Sequence, residues 1–178
     1  LNRGYFAAIE QPRDAAVQPY KLTHAIFKAS GSELITNNEV YRIEQTAPDV
    51  VTVHTQQVIF KARYVIIATN AYSPKIDSYF YDKIIPTRAQ VFVTEPLEKS
   101  VIDVCGYSDY GYMYYRMTFD NRFLIGGARN THMPLEHDTT EDKINPLIQA
   151  ELERYIAKYF PDVDKPIERR WSGIMGFS

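Results

Sequence analysis

An uninterrupted apolar run, Val65 to Ala68, constrains the fold of this chain more than any other feature. A strand that is apolar on both faces must be buried between two layers, as in a parallel sheet covered by helices. The run ends abruptly at Thr69 and Asn70, and such residues after a buried parallel strand mark the sheet edge where α/β proteins bind ligands. The sequence therefore predicts a buried strand over Tyr64–Thr69 ending in a ligand-binding turn, although the pattern also fits a strand with a purely structural role.

A helix is predicted over residues 19–30. Pro19 fits the first turn of a helix, and Gly31 is a typical residue to end one. The apolar residues recur at the spacing of a single helix face. They are Leu22, Ala25, Ile26 and Ala29.

A second helix and several extended segments complete the predicted mixture of α and β structure. Thr139 and Asp142 resemble a capping box for a helix that runs to Phe160, with a restart at Pro146 as an alternative. Asp120 and Asn121 form a good turn between two strands. Extended segments are predicted over residues 4–10, 33–36, 39–45, 50–55, 58–63, 84–95, 112–118, 122–125 and 167–178.

Composition excludes several classes of protein. The 178 residues suffice for one or at most two domains, and a net charge of −2 argues against a nucleic-acid-binding surface. Cys105 is the only cysteine, which excludes an internal disulfide and favours a reducing, cytoplasmic compartment. No apolar stretch approaches the roughly 18 residues that span a membrane, so no membrane span is predicted.

One polar loop contains groups that bind metals in other proteins. They are His132, Glu136, His137 and Asp138. Their spacing matches no established metal site, and the loop has the composition of an ordinary exposed connection. No metal is therefore predicted.

Residues 64–73 resemble the second flavin-contacting strand of FAD-dependent oxidoreductases of the D-amino-acid-oxidase-like group. That family usually has Ala-Thr-Gly, and here Asn70 stands in the glycine position after Ala68 and Thr69. Asn tolerates left-handed backbone angles better than most residues, so the departure is acceptable. A β-meander before this strand also resembles the family's order of elements.

The second half of the chain carries the same resemblance. Residues 86–90, Pro-Thr-Arg-Ala-Gln, resemble the Pro-x-Arg-Gly-Gln segment that begins the family's substrate-domain sheet. Residues 114–127 resemble the hairpin whose face lines the substrate cavity. Residues 168–178 resemble the strand that leads back to the flavin, and they indicate the γ-glutamylputrescine oxidase-like branch, with glycine and sarcosine oxidases as cousins.

The resemblance implies an α+β fold, namely a substrate-binding antiparallel sheet with helices plus part of an FAD-binding Rossmann-like domain. Residues 1–83 would be the partial FAD-binding domain, 84–166 the substrate-binding domain and 167–178 the strand returning to the flavin. The chain lacks the Gly-x-Gly-x-x-Gly turn on which the pyrophosphate of FAD sits. It is therefore expected to be an internal fragment of a longer protein.

The resemblance also assigns site residues. Those expected to contact the cofactor are Val40, Ala68, Thr69, Asn70, Gly173, Ile174, Met175 and Gly176. Those expected to contact the substrate are Tyr114, Arg116 and Trp171. No catalytic side chain is predicted, because the cofactor carries the chemistry of such enzymes.

Purely structural roles for some of these residues stay open as alternatives. Arg116 could be a solvated charge at the sheet edge with Tyr114 in the core, and Trp171 could be a buried core residue. Arg88 and Gln90 share a strand face, and as a lone pair they favour a structural role.

Two classes of function follow. The first is an FAD-dependent oxidoreductase that oxidises the C–N bond of an amine or amino acid by hydride transfer to flavin. The second is a non-catalytic binding domain rich in tyrosine, of which the chain has 14. The fragment alone is expected to be inactive, to lack the FAD that the full-length protein binds and to self-associate.

Overall fold

The structure is a computed structural model that describes residues 3–178, and the chain divides into two compact units. The first, here called the meander unit, comprises residues 6–66. The second, here called the sheet unit, comprises residues 3–5 and 67–178. No helix within residues 3–178 combines the length and the apolar composition that a membrane-crossing segment needs.

The meander unit contains the predicted first helix, α1, which spans Pro19–Ser30. The side chain of Gln18 accepts a backbone hydrogen bond from the first turn, and Gly31 ends the helix with a φ of 66°. The predicted apolar stripe is present, but it is uncovered: Leu22 and Ile26 are exposed, and no residue of α1 is buried.

Three antiparallel strands follow α1 in the order β1-β2-β3. They are β1 (Val40–Ala47), β2 (Val50–Thr55) and β3 (Ile59–Ala62). The predicted meander is therefore confirmed. Strands predicted over residues 4–10 and 33–36 are wrong, because neither segment pairs with another strand among residues 3–178.

The buried strand predicted over Tyr64–Thr69 is also wrong. These residues are not part of any strand, and the side chains of Tyr64 and Ile66 are 85% and 91% exposed. A parallel strand needs hydrogen-bonding neighbours at its edges and covering layers on its faces. Residues 3–178 supply no strand partner for this segment, and none of the residues from Tyr64 to Thr69 is buried.

The sheet unit is built on a five-stranded sheet in the order β5-β6-β7-β4-β8, and every neighbouring pair is antiparallel. Its strands are β4 (Ile85–Pro96), β5 (Gly106–Ser108), β6 (Met113–Met117), β7 (Arg122–Gly127) and β8 (Ile167–Phe177). Its helices are α2 (Ser73–Ile76), α3 (Met133–Glu136) and α4 (Pro146–Tyr159). The α+β fold class and the hairpin around Asp120 and Asn121 are confirmed.

The long helix α4 begins at the predicted restart and not at the capping box. Asn145 caps it, since the Asn145 side-chain oxygen accepts the backbone N–H of Leu147 at 3.1 Å, and Pro146 occupies the first turn. Thr139 instead accepts the backbone N–H of Glu141 at 3.2 Å in a local turn. Asn followed by Pro is a strong start signal because it joins an N-cap to a preset helical φ.

One face of the five-stranded sheet, here called the covered face, packs against α4 and forms the core. Phe92, Phe123 and Ile125 contribute from the sheet, and they are buried against apolar residues of α4. Those residues are Ile148, Leu152, Tyr155 and Ile156, with Phe160 following the helix. The opposite face is here called the open face. Side chains alternate between the two faces along each strand.

Candidate functional site

A row of residues crosses the open face on all five strands. The register places Tyr107 opposite Tyr114, and Tyr114 opposite Gly126. Val91 then lies between Gly126 and Trp171 on the two remaining strands. Residues directly opposite one another share a sheet face, so two of the predicted substrate residues, Tyr114 and Trp171, lie in one row.

The absence of a side chain at Gly126 makes room for the ring of Tyr114. A Cβ atom at Gly126 would lie 2.5 Å from atoms of that ring. Burial raises the pKa of the Tyr114 phenol, so the hydroxyl is neutral and able to donate a hydrogen bond at neutral pH. Arg116 follows two residues later on the same face, opposite Leu124, and is half-buried.

Trp171 lies on the open face with 39% of its surface exposed. The alternative of a buried core tryptophan is therefore wrong. Its neighbours along β8 on the same face are Gly173 and Met175, by the alternation of the strand. An added Cβ at Gly173 would meet no atom within 4 Å, which leaves open space beside the tryptophan.

The predicted cofactor segment 173–176 is divided between the two faces. Gly173 and Met175 belong to the open face, whereas Ile174 and Gly176 lie opposite Arg88 and Pro86 on the covered face. Only alternate residues of this segment can therefore contact one flat ligand through their side-chain positions.

Gly176 is joined to Asn70, which lies more than a hundred residues earlier in the chain. The Oδ1 atom of Asn70 accepts the backbone N–H of Gly176 at 2.9 Å. Asn70 has a φ of 47°, so it takes the left-handed backbone that its place in a glycine position implies. A Cβ at Gly176 would lie 2.5 Å from that same oxygen, so glycine is needed for this approach.

The other predicted cofactor residues lie in different places. Ala68 is exposed in the extended segment, and the hydroxyl of Thr69 lies 3.0 Å from that of Ser73. Val40 is the first residue of β1 in the meander unit. The structure thus brings Asn70 and Gly176 together, and the roles of all these residues toward a cofactor stay predictions.

Arg88 and Gln90 meet a buried carboxylate on the covered face. The guanidinium of Arg88 donates to both oxygens of Glu136 at 3.1 Å, and the side-chain amide of Gln90 donates to Glu136 at 3.2 Å. The side-chain amide of Asn145, the cap of α4, donates a further hydrogen bond of 2.6 Å to Glu136. These hydrogen bonds join β4 to the end of α3 and to the start of α4, which supports a structural role for Arg88 and Gln90.

The segment predicted as an exposed polar loop contains the short helix α3, and Glu136 at its end is buried. Among residues 3–178, no three His, Cys, Asp or Glu side chains are grouped so as to hold a metal ion. The carboxylate of Glu136 is instead directed at Arg88, and the side chain is fully buried.

Sequence reasoning missed Arg129, which lies just after β7. The guanidinium carbon of Arg129 is 5.2 Å from the ring centroid of Tyr112 and 5.0 Å from that of Phe177. Gly127, with a φ of 117°, allows the carbonyl of Tyr112 to approach closely, and the N–H of Ala128 donates to that carbonyl at 2.8 Å. The glycine pair at the end of β7 was the available signal for this tight turn.

The sequence is similar to known flavoproteins along its whole length. Residues 1–178 match the DAO family, described as FAD dependent oxidoreductase. A gamma-glutamylputrescine oxidoreductase of Escherichia coli (strain K12) is 30% identical over 156 residues, which are 82% of this chain and 34% of that protein. The chain thus spans about a third of the length of this curated relative.

Solved structures show the same fold. Glycine oxidase from Bacillus cereus ATCC 14579 matches with a TM-score of 0.70 and 19% identity, covering 88% of this chain and 42% of that one. L-proline dehydrogenase from P. horikoshii matches with a TM-score of 0.71 and 24% identity, covering 88% and 43%. The agreement of sequence and fold leads to one conclusion: the chain belongs to the DAO family of FAD-dependent oxidoreductases.

Proposed function

We propose that the protein containing this chain oxidises the C–N bond of an amine or amino acid by hydride transfer to FAD. The family match across residues 1–178 carries this proposal. Three proteins that are similar to this chain are named for γ-glutamylputrescine, glycine and L-proline, and each of these compounds has an amine nitrogen. FAD would accept the hydride, and the residues of this chain would bind and orient the substrate.

The residues present fit part of an FAD site. Gly173 has open space beside it on the open face, where a flat ring could approach the backbone. The hydrogen bond between Asn70 and Gly176 joins two segments that the family resemblance assigns to the cofactor. We assign the backbone of Val40 to the adenine and Thr69 with Asn70 to the ribose and pyrophosphate region. The chain has no Gly-x-Gly-x-x-Gly turn, so these residues supply only some of the contacts.

The open face fits the substrate side of such a site. Tyr114 would provide an aromatic wall and a neutral hydroxyl, and Arg116 a charged fork for a polar group of the substrate. Trp171 would exclude water from one side of the bound amine. Orienting the amine and excluding water are the contributions that a protein makes to flavin chemistry.

The domain assignment accompanies this proposal. Residues 1–83 belong to the FAD-binding domain, residues 84–166 to the substrate-binding domain, and residues 167–178 return toward the flavin. We place the protein in the cytoplasm because its only cysteine, Cys105, is exposed and unpaired, as is usual in a reducing compartment. Its partner is a small-molecule amine.

Kinetics of the complete protein test the proposal. Arg116→Ala should lower kcat/KM for the preferred amine by roughly tenfold to a hundredfold, because a charge-assisted contact is worth about 1.5–3 kcal/mol. Arg154→Ala is the matched control, since Arg154 is exposed on α4 and pairs with Glu151. Unchanged kinetics for Arg116→Ala across candidate amines would remove this residue from the site. A colourless complete protein that cannot be reconstituted with FAD would favour the non-catalytic binding domain.

A further inference from the structure

The edge strand β5 is the least supported strand of the five-stranded sheet. It has three residues, Gly106–Ser108, and within residues 3–178 it pairs with β6 alone. The turn that follows it has three successive residues with positive φ, namely Asp109 at 50°, Tyr110 at 58° and Gly111 at 85°. Such a backbone is unfavourable for residues other than glycine, and it persists only where surrounding contacts hold it. β5 therefore needs support beyond its pairing with β6.

A hydrogen bond from α4 provides such support. Ser108 lies opposite the core residue Met113, so its side chain is on the covered face. There the hydroxyl of Ser108 is hydrogen-bonded to the hydroxyl of Tyr155. The Tyr155 hydroxyl oxygen also lies 2.6 Å from that of Tyr5. Because the ring of Tyr155 is buried in the core, its hydroxyl is held in a fixed place beside β5.

β5 in turn determines the surroundings of Tyr114 on the open face. Tyr107 precedes Ser108 and lies opposite Tyr114, and the centroids of the two tyrosine rings are 6.4 Å apart. On the other side, the ring of Tyr114 fills the space left by the missing side chain of Gly126. Tyr107 is 76% exposed, so its position depends on its strand more than on packing around its own ring. A displacement of β5 would therefore change the contact that limits the ring of Tyr114 on this side.

We propose that Tyr155 is a positioning residue for the open face: its hydroxyl holds β5 through Ser108, and β5 holds Tyr107 against Tyr114. Tyr155 acts from the covered face, so it would not itself contact a substrate. The effect on substrate binding rests on the proposed function of Tyr114, whereas the effect on the position of Tyr114 rests on these contacts alone. Tyr155→Phe keeps the buried ring and removes only the hydroxyl, so it separates positioning from packing.

Fluorine NMR of the complete protein, labelled with fluorotyrosine, tests the positioning without any turnover. The resonance that is absent from Tyr114→Phe belongs to Tyr114. It should shift or split in Tyr155→Phe and in Ser108→Ala, and it should keep its wild-type position in Ser108→Thr, which retains the hydroxyl. Tyr159→Phe is the matched control and should leave the resonance unchanged, because the Tyr159 ring also packs on that of Tyr155, 4.6 Å away, and its hydroxyl pairs with Lys158 on the same helix. An unchanged Tyr114 resonance in both Tyr155→Phe and Ser108→Ala would overturn the proposal.

Turnover gives a second, separable readout. With the amine that the complete protein oxidises fastest, Tyr155→Phe should raise KM roughly twofold to tenfold and leave kcat unchanged, because the loss of one hydrogen bond loosens the binding face and not the reaction at the flavin. A purely structural role would lower the folded fraction, which reduces the apparent kcat and leaves KM unchanged, and that result would overturn the proposal. If Tyr155→Phe fails to fold, Ser108→Ala decides both measurements in the same way. A wild type that oxidises no amine would contradict the proposed function, while the Tyr114 resonance still decides the positioning.

Discussion

The Asn70 side chain accepts the backbone N–H of Gly176 at 2.9 Å and so ties the polar turn after the apolar run to the last strand of the sheet. Pro86 lies opposite Gly176 and has no N–H, and its carbonyl accepts the N–H of Thr139 at 3.2 Å. The end of β8 is thus held by Asn70 as well as by β4.

Two glycines of β8 should respond differently to the same added methyl group. Gly176→Ala should destabilise the sheet unit by about 1–3 kcal/mol, because the new Cβ would overlap the Asn70 oxygen and would also press on Ile84. Gly173→Ala is the matched control and should leave stability unchanged or slightly higher, since it meets no atom within 4 Å. Urea unfolding of the 178-residue chain measures both. Equal unfolding midpoints for the two variants would show that the close approach of Asn70 to Gly176 contributes nothing to stability.

Removing the buried carboxylate of Glu136 should be among the most damaging single changes. Glu136→Ala should cost about 3–5 kcal/mol, because it leaves the buried guanidinium of Arg88 without its only buried charge partner among the described residues. Glu141 lies 3.7 Å from the same guanidinium, but its side chain is 63% exposed. Glu141→Ala should therefore cost less than about 1 kcal/mol. Denaturant unfolding measures the loss in free energy of unfolding for each variant. Equal losses would show that burial of the carboxylate does not determine its contribution to stability.

The sheet unit should lose stability in alkali. Burial raises the pKa of the Tyr155 phenol to about 12, above its ordinary 10.0. Burial also raises the pKa of Tyr5, whose hydroxyl oxygen lies 2.6 Å from that of Tyr155. The folded state keeps these protons at a pH where the unfolded state releases them. Stability from these groups is therefore present below about pH 10 and is lost as the pH rises toward 12.

Tyr155→Phe tests the origin of this alkaline loss. The variant should be less stable by about 1 kcal/mol at pH 8, since the hydrogen bonds of Tyr155 to Tyr5 and Ser108 are gone. Its urea midpoint should then fall less between pH 9 and pH 11 than that of the wild type. A larger fall in the variant would contradict the assignment to Tyr155.

The 178-residue chain should self-associate. Large apolar side chains are exposed on α1 and in the extended segment before the sheet unit, and exposed apolar patches promote association. They include Leu22, Ile26, Tyr64 and Ile66. Sedimentation velocity should detect dimers or larger species that diminish in the double variant Leu22→Asp, Ile26→Asp. The matched control is Thr23→Asp on the same helix, and a strictly monomeric wild type would contradict the expectation.

Local patterns predicted the parts of the fold that local interactions determine. β2 was predicted with the bounds that the structure has, and α1 with its proline start and glycine stop. The segment 64–69 was predicted wrongly because its apolar pattern specifies burial but supplies none of the neighbouring strands. Here the tertiary surroundings, and not the propensity, decide the conformation.

Only part of the candidate site could be predicted from the sequence, for a related reason. Alternation along a strand gave the shared face of Tyr114 and Arg116 without any knowledge of the fold. Arg129 was missed because its contacts come from two segments far away in sequence, around Tyr112 and Phe177. No sign of the partner of Arg88 was visible in the sequence, since Glu136 lies at the end of the one-turn helix α3, which is too short to show a periodic pattern.

The FAD content of the complete protein, with and without a bulky side chain at Gly173, tests the central claim that the open face lies against the flavin. Gly173→Leu should fold as the wild type does, because an added Cβ at this exposed strand position meets no atom within 4 Å. Absorbance at the flavin maxima should show stoichiometric FAD in the wild type and in the control Arg154→Leu, and little or none in Gly173→Leu. Full retention of FAD by a correctly folded Gly173→Leu variant would contradict the placement of the cofactor on the open face.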